Sequence, residues 1–236
     1  MYTFTNNDIE KSVELTQSEG VFSPTDTTKI LVRSVINAID SPKKILDLGC
    51  GSGVVGLLLW KFGLVKDCLY LSDVSESAVK NTIENCRINN CKSVVKAGAI
   101  YEPWRGEKFD VIVDDVSGIS QAVAKKSPWF ENVPCVSGED GTILTIEVLK
   151  KSRKHLTEKG VLFFPVISLS NCTKIKEEAE KYYTNVELVG RVDWPLPSEL
   201  TAEPDFLKEQ HEKNNIELVS KFGMYLGYTE IYKVSI

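Results

Sequence analysis

Four aspartates and a run of glycines are the residues of this chain best placed to do chemistry. From Ile45 to Gly56 the sequence reads ILDLGCGSGVVG, with Asp47 two residues ahead of Gly49 and further glycines at 51 and 53. Asp73 closes the apolar run that starts at Leu69, and Asp114 and Asp115 close the run Phe109-Asp-Val-Ile-Val. Glycines at alternate positions remove the Cβ atoms that would hold a ligand off the backbone, and a helix start beyond them leaves N–H groups unpaired. Such a loop can wrap a ligand with its main chain. The acids can attract a cation, accept hydroxyl hydrogen bonds or take up a proton.

The glycines can be read in two registers. Gly51-Ser-Gly53-Val-Val-Gly56 fits the dinucleotide pattern G-x-G-x-x-G, with Asp73 about 20 residues on for a ribose hydroxyl. The other register is Asp47-x-Gly49-x-Gly51-x-Gly53. An anion so near the cradle repels a pyrophosphate but attracts an ammonium or sulfonium, since opposite charges at ~4 Å interact favourably even at protein-like dielectric. The charge favours S-adenosylmethionine over NAD. Ile45–Gly56 resembles the first motif of class I S-adenosylmethionine-dependent methyltransferases. The resemblance implies S-adenosyl-L-methionine as cofactor, with Asp47, Gly49, Cys50, Gly51 and Gly53 at its methionine end and Asp73 and Val74 at its ribose. Many relatives place an acid where Ala99 stands, to bond the adenine amino group; here backbone groups at Ala99 and Ile100, with packing by Ile100 or Tyr101, are expected in its place.

In the glutamine and adenine nitrogen methyltransferases the fourth strand ends in Asn-Pro-Pro-Tyr, which grips an amide or amidine nitrogen. The strand FDVIV resembles theirs, but Asp115-Val116-Ser117-Gly118 keeps none of the four letters. The amide substrate does not carry over. Asp115 is the candidate catalytic residue, able to hold an amine, bind a cationic acceptor or take a proton from a hydroxyl, with Val116, Ser117 and Trp129 as candidate acceptor contacts. Asp114 alternates to the other face of the strand, and either acid could instead cap the following loop by an Asx-type bond. Residues 117–141 form a long connection of the kind used for lids and binding loops. Within it Cys135-Val-Ser-Gly-Glu-Asp-Gly141 resembles the segment before the next helix in the glutamine methyltransferases, which implies an ordered substrate loop. Trp129 and Phe130 could stack on a substrate or serve the core.

The elements that must position these residues alternate between strands and helices. This predicts an α/β fold, and the resemblance implies a Rossmann-like, seven-stranded, mostly parallel sheet with helices on both faces and an antiparallel last strand. One domain over 1–236 is expected. Residues 1–40 are read as a helical cover, with a short helix around Asp8–Thr16 and another at Lys29–Ile39. Between them VFSPTDTTKILV resembles the segment that helps close over cofactor and substrate in the release-factor glutamine methyltransferases. A helix is predicted over Ile143–Leu156, whose cationic end accounts for His155. Residues 195–222 read as an insertion before the last strand, a candidate pocket wall, with His211 on its surface.

The totals bound the function. With 236 residues, 42% of them hydrophobic, the chain can bury one sizeable core. A formal charge of −5 gives no overall footprint for nucleic acid. Six cysteines without a C-x-x-C pair, and two histidines, suggest neither a metal site nor a disulfide framework but reduced thiols in a cytoplasmic protein. No signal-type segment and no run of ~18 apolar residues point to export or a membrane. The expected function is methyl transfer from S-adenosyl-L-methionine to a nitrogen or oxygen of a small molecule or protein side chain. The alternative is a catalytically silent cofactor-binding partner subunit. The acceptor and the oligomeric state are not written in these motifs.

Overall fold

The computed structural model describes residues 1–116, 118–131, 133, 135–221 and 223–236. The chain opens with a hairpin, β1 (Tyr2–Asn6) paired antiparallel with β2 (Ile9–Val13). Asn7 and Asp8 turn it with φ of 45° and 65°, the left-handed pair that a two-residue hairpin turn requires. Phe4 and Asn6 point inward while Thr3 and Thr5 face solvent, a period of two. This corrects the helical reading of the N-terminal part of residues 1–40, while the helix expected at Lys29–Ile39 is present. No helix covers Asp8–Thr16, and helix enters only with α1 (Asp26–Ala38).

The remaining elements are β3 (Ile45–Leu48), α2 (Val54–Lys61), β4 (Leu69–Asp73), α3 (Glu76–Ile88), β5 (Ser93–Ala97), β6 (Phe109–Asp114), α4 (Gln121–Ala124), α5 (Ile143–Ser152), β7 (Leu156–Ile167), α6 (Cys172–Tyr182), β8 (Asn185–Pro195), α7 (Ser198–Thr201), α8 (Pro204–Glu212), β9 (Val219–Lys221) and β10 (Met224–Ser235). The main sheet runs β5-β4-β3-β6-β7-β10-β8, with short β9 added to β10. The seven expected strands are present, and β9 makes eight. From β5 to β7 neighbours are parallel, while β10 is antiparallel to both β7 and β8. The chain leaves β3 in one direction and returns to its other side with β6, so the switch point lies between Leu48 and Asp114. Ligands of open α/β sheets sit at such a point, beyond the strands' carboxyl ends.

Alternation along β3 divides the core. Ile45 joins Leu31, Val35, Leu57, Val111 and Val113 on one face, packed by α1 and α2. Leu46 and Leu48 join Ile112, Val148, Leu149, Leu162 and Ile175 on the other, packed by α5 and α6. A third cluster, of Ile119, Val123, Leu169, Trp194, Leu196, Leu200, Leu207 and Ile216, caps the carboxyl end of β7 and β8. It draws together the connection after β6 and residues 196–218.

The helix expected over Ile143–Leu156 is shorter than its sequence reading. Helix α5 stops at Ser152, three residues ahead of His155, whose ring stacks on Tyr101 with centroids 4.5 Å apart. On α3, Ile83 is exposed, and the buried stripe is Ala78, Val79, Asn81, Thr82, Asn85 and Cys86. The helix thus turns a largely polar face inward.

Candidate active site

The turn from β3 into α2 carries three left-handed glycines, Gly49, Gly51 and Gly53, with φ of 75°, 52° and 79°. The N–H groups of Gly49 and Cys50 both donate to the Ser72 carbonyl, at 2.9 and 3.0 Å, tying the loop to β4. A Cβ on Gly49 would stand 2.9 Å from the Val116 side chain, and one on Gly53 3.0 Å from Thr82. These two glycines serve the protein's own packing. Gly51 differs, because a Cβ there would have only the Phe22 carbonyl oxygen near it, at 3.9 Å. Its open face is the one a ligand can approach.

Asp47 is wholly buried beneath this loop. Its Oδ2 accepts the Gly56 N–H at 2.8 Å, while Oδ1 has no partner among the described residues. Burial pushes its carboxyl up to about 7; the Gly56 N–H opposes the rise and the neighbouring Asp73 adds to it. A desolvated, unpartnered carboxylate oxygen at the root of a glycine loop fits an ammonium or sulfonium, which would restore the lost partner and the charge balance. Cys50 is buried with Sγ 3.5 Å from Thr82 Oγ1, and burial raises its thiol pKa well above the usual range.

Asp73 ends β4, where Oδ2 accepts the Gly51 N–H and Oδ1 the Ser75 N–H, each at 2.9 Å. The carboxylate is thereby fixed with one lone pair free on each oxygen, sufficient for a pair of hydroxyls. Val74 beside it is 73% exposed, unusual for a large apolar side chain. Across the sheet Asp73 pairs with Ala97, and the chain beyond brings exposed Ala99 and then Ile100 to the same end. Ile100 has φ of 49°, a left-handed backbone that β-branched residues rarely adopt and that concentrates at functional sites. The positions read as methionine, ribose and adenine contacts therefore follow one another along the carboxyl edge of β3, β4 and β5.

On the other side of the switch point, the Asp115 N–H donates to the Leu48 carbonyl at 2.9 Å. Register pairs Leu48 with Asp114 and Asp47 with Val113, so Asp114 lies on the Leu48 face. Asp114 is buried, and its Oδ1 accepts the Val116 N–H at 3.2 Å in an Asx-type turn. Oδ2 has no partner among the described residues. Burial lifts this carboxyl to about 7, against the Val116 N–H and with help from Asp47. The capping role thus falls on Asp114. Asp115 is partly exposed, and its carboxyl is pushed well above the usual range by burial and then by Asp47, Asp114 and Asp73. A carboxyl at this place can hold an amine or accept a proton from an acceptor group.

Val116 lies against Gly49, and Ser117 lies outside the described residues. Trp129 is set edge-on to Trp194, centroids 5.5 Å apart, as part of the third cluster. Its neighbour Phe130 meets Phe22 at 5.1 Å. Sequence reading passed over Thr82 and the asparagines of α3. Their signal was polar residues at intervals of four on the face that the apolar residues Val79 and Cys86 turn inward.

This strand order, with its antiparallel β10 and a glycine loop at the switch point, is the arrangement expected from the sequence. Residues 12–115 match the family described as the methyltransferase small domain, and the resemblance drawn from Ile45–Gly56 is borne out. Among curated proteins the chain is similar to the release factor glutamine methyltransferase of Thermodesulfovibrio yellowstonii, 27% identical over 165 residues, covering 66% of this chain and 59% of the relative. It is also 28% identical over 156 residues to the ribosomal protein L11 methyltransferase of Thermoanaerobacter pseudethanolicus, covering 66% of this chain and 46% of that protein. The chain spans about half the length of these relatives. Among solved structures, the 16S rRNA N2 G1207 methyltransferase of T. thermophilus, in complex with AdoMet and guanosine, aligns with a TM-score of 0.63 at 13% identity, over 100% of this chain and 50% of that one. That likeness concerns the fold. Among the described residues no helix is long and apolar enough to cross a membrane.

Proposed function

We propose that the protein transfers a methyl group from S-adenosyl-L-methionine to a nitrogen or oxygen, with a protein side chain the favoured acceptor and a small molecule the other. The observation that carries this reading is the meeting of two devices at the β3–β6 switch point. One is the glycine loop over the unpartnered Asp47 Oδ1, and the other is Asp115, whose N–H donates to the Leu48 carbonyl across the switch point. When bound, the cofactor supplies a methyl group on a positively charged sulfur, a good leaving group, so positioning accounts for much of the catalysis. Asp47 and the loop would hold the methionine end, Asp73 and Val74 the ribose, and Ala99 and Ile100 the base. Asp115 would orient the acceptor and take up the proton it gives off, with Val116 next to it in the chain and Ser117 and Trp129 remaining candidate acceptor contacts. Two relatives named for protein substrates support a protein acceptor, and the net charge of −5 argues against nucleic acid. Six free thiols support action in the cytoplasm.

Calorimetric titration with S-adenosylhomocysteine, with NAD as comparison, tests the reading. Stoichiometric binding of the first alone is expected, and Asp73→Ala should weaken it about tenfold or more, that is ~1.4 kcal/mol. Unchanged affinity in Asp73→Ala refutes the ribose assignment. Tight binding without turnover on any amine, acid or peptide, together with a stable partner in pull-downs, would instead identify a silent subunit.

A further inference from the structure

The inward polar face of α3 has a partner. Asn81, Asn85 and Asn89 are buried at intervals of four, although asparagine is a weak helix former whose amide competes for backbone hydrogen bonds. Each side-chain amide pairs with the main chain of residues 14–18. Asn89 Oδ1 accepts the Glu14 N–H at 3.0 Å, and its Nδ2 donates to the Glu14 carbonyl at 2.7 Å. Asn85 repeats the pattern on Thr16, at 2.8 and 3.2 Å. Asn81 Oδ1 accepts the Ser18 N–H at 3.4 Å, and its Nδ2 donates to the Thr16 carbonyl at 3.0 Å. The register is commensurate. Two residues of extended chain advance ~6.7 Å and four residues of helix ~6 Å, so asparagines at every fourth position meet every second residue of the segment. A helix here does what the edge of a strand would do.

The same face also holds the glycine loop. Asn85 Nδ2 donates to the Ser52 carbonyl at 2.9 Å, and Thr82 Oγ1 to the Gly51 carbonyl at 2.8 Å. Further along the held segment, the Phe22 carbonyl faces Gly51 and the Phe22 ring touches Phe130 in the connection after β6. We propose that Asn81, Asn85 and Asn89 are positioning residues that clamp the segment from Glu14 to Phe22 and the glycine loop as one unit, with Asn85 the shared link, so that the clamp sets how long the cofactor stays bound. The clamp rests on the cofactor reading given above. It is built of hydrogen bonds rather than apolar packing, so it can be loosened without emptying the core.

The test is the rate of S-adenosylhomocysteine release from the full chain, read beside amide exchange over residues 14–18 and the melting temperature. Asn81→Ala touches the segment but not the loop. It should speed release about tenfold and exchange over 14–18, with association changed less than twofold. Thr16→Val, which removes a hydroxyl bonded to both Asn85 and Asn81 at 2.8 Å, should act in the same direction and has no buried side chain to lose. Ile175→Val on α6, which lowers melting through packing alone, should leave release unchanged. Unaltered release in Asn81→Ala and Thr16→Val, despite faster exchange over 14–18, overturns the clamp and leaves the cofactor reading standing. Failure of the unsubstituted chain to bind S-adenosylhomocysteine overturns both.

Discussion

At Gly49 one added methyl group would push the two halves of the site apart. Its Cβ would meet the Val116 side chain at 2.9 Å and the Val116 nitrogen at 3.0 Å, from a backbone at φ of 75°. Gly63 has nearly the same φ, 74°, but no atom within 4 Å of its would-be Cβ. Gly49→Ala therefore adds collision to backbone strain, whereas Gly63→Ala adds strain alone. Thermal melts should show the first costing ~2–4 kcal/mol and the second ~1 kcal/mol, and only the first should weaken S-adenosylhomocysteine binding. At this scale the sequence disclosed chemistry better than cause. The Asp47 and glycine spacing could be read directly, because it answers to a local turn. That Gly49 makes room for Val116, far along the chain, could not. Nor could the choice between Asp114 and Asp115 as loop cap, which depends on the register of β6 against β3.

Among the elements, β10 and the end of β8 depend on each other through Gly227 and Trp194. The Trp194 ring lies where a Gly227 Cβ would stand, and its Nε1 donates to Thr229 Oγ1 at 3.1 Å, which in turn lies 2.8 Å from Thr27 Oγ1 on α1. Gly227→Ala should displace the indole, cost ~1–3 kcal/mol by overpacking, and disturb Trp129 and the third cluster, to be read from near-ultraviolet circular dichroism and melting. Strands with strong apolar runs, such as Leu69–Asp73 and Phe109–Asp114, were legible to within a residue or two. The first fifteen residues were not, because Asn7-Asp8 gives a hairpin only where Phe4 and Val13 find a core to cover. The inward face of α3 was not legible, because it answers to the main chain of residues 14–18, far away in the sequence.

For the whole molecule, carboxyls of two kinds set the pH range of stability. Folding raises Asp47 and Asp114 from the ordinary value of ~4 to about 7, in both cases chiefly by burial. Between those values the folded protein holds protons that the unfolded chain has released. Their contribution is complete below pH ~4 and is lost as pH rises through 7. Asp193 and Glu107 run the other way, lowered chiefly by hydrogen bonds from Lys221 and Lys44. Their contribution is present above pH ~4 and lost as pH falls, though it is small at such exposed sites. Melting temperature should therefore decline from pH 5.5 to pH 8, and Asp114→Asn, which keeps the acceptor for the Val116 N–H, should flatten the decline. The strand order bears finally on how the protein is made. All the strands that frame the glycine loop exist once Asp114 has been synthesised, but β8 has β10 as its sheet neighbour and must await Met224–Ser235. Until that segment leaves the ribosome, β7 and β8 each present an open, hydrogen-bonding edge. The nascent chain passes through a period in which a foreign strand, or a second nascent copy, could take the place kept for its own.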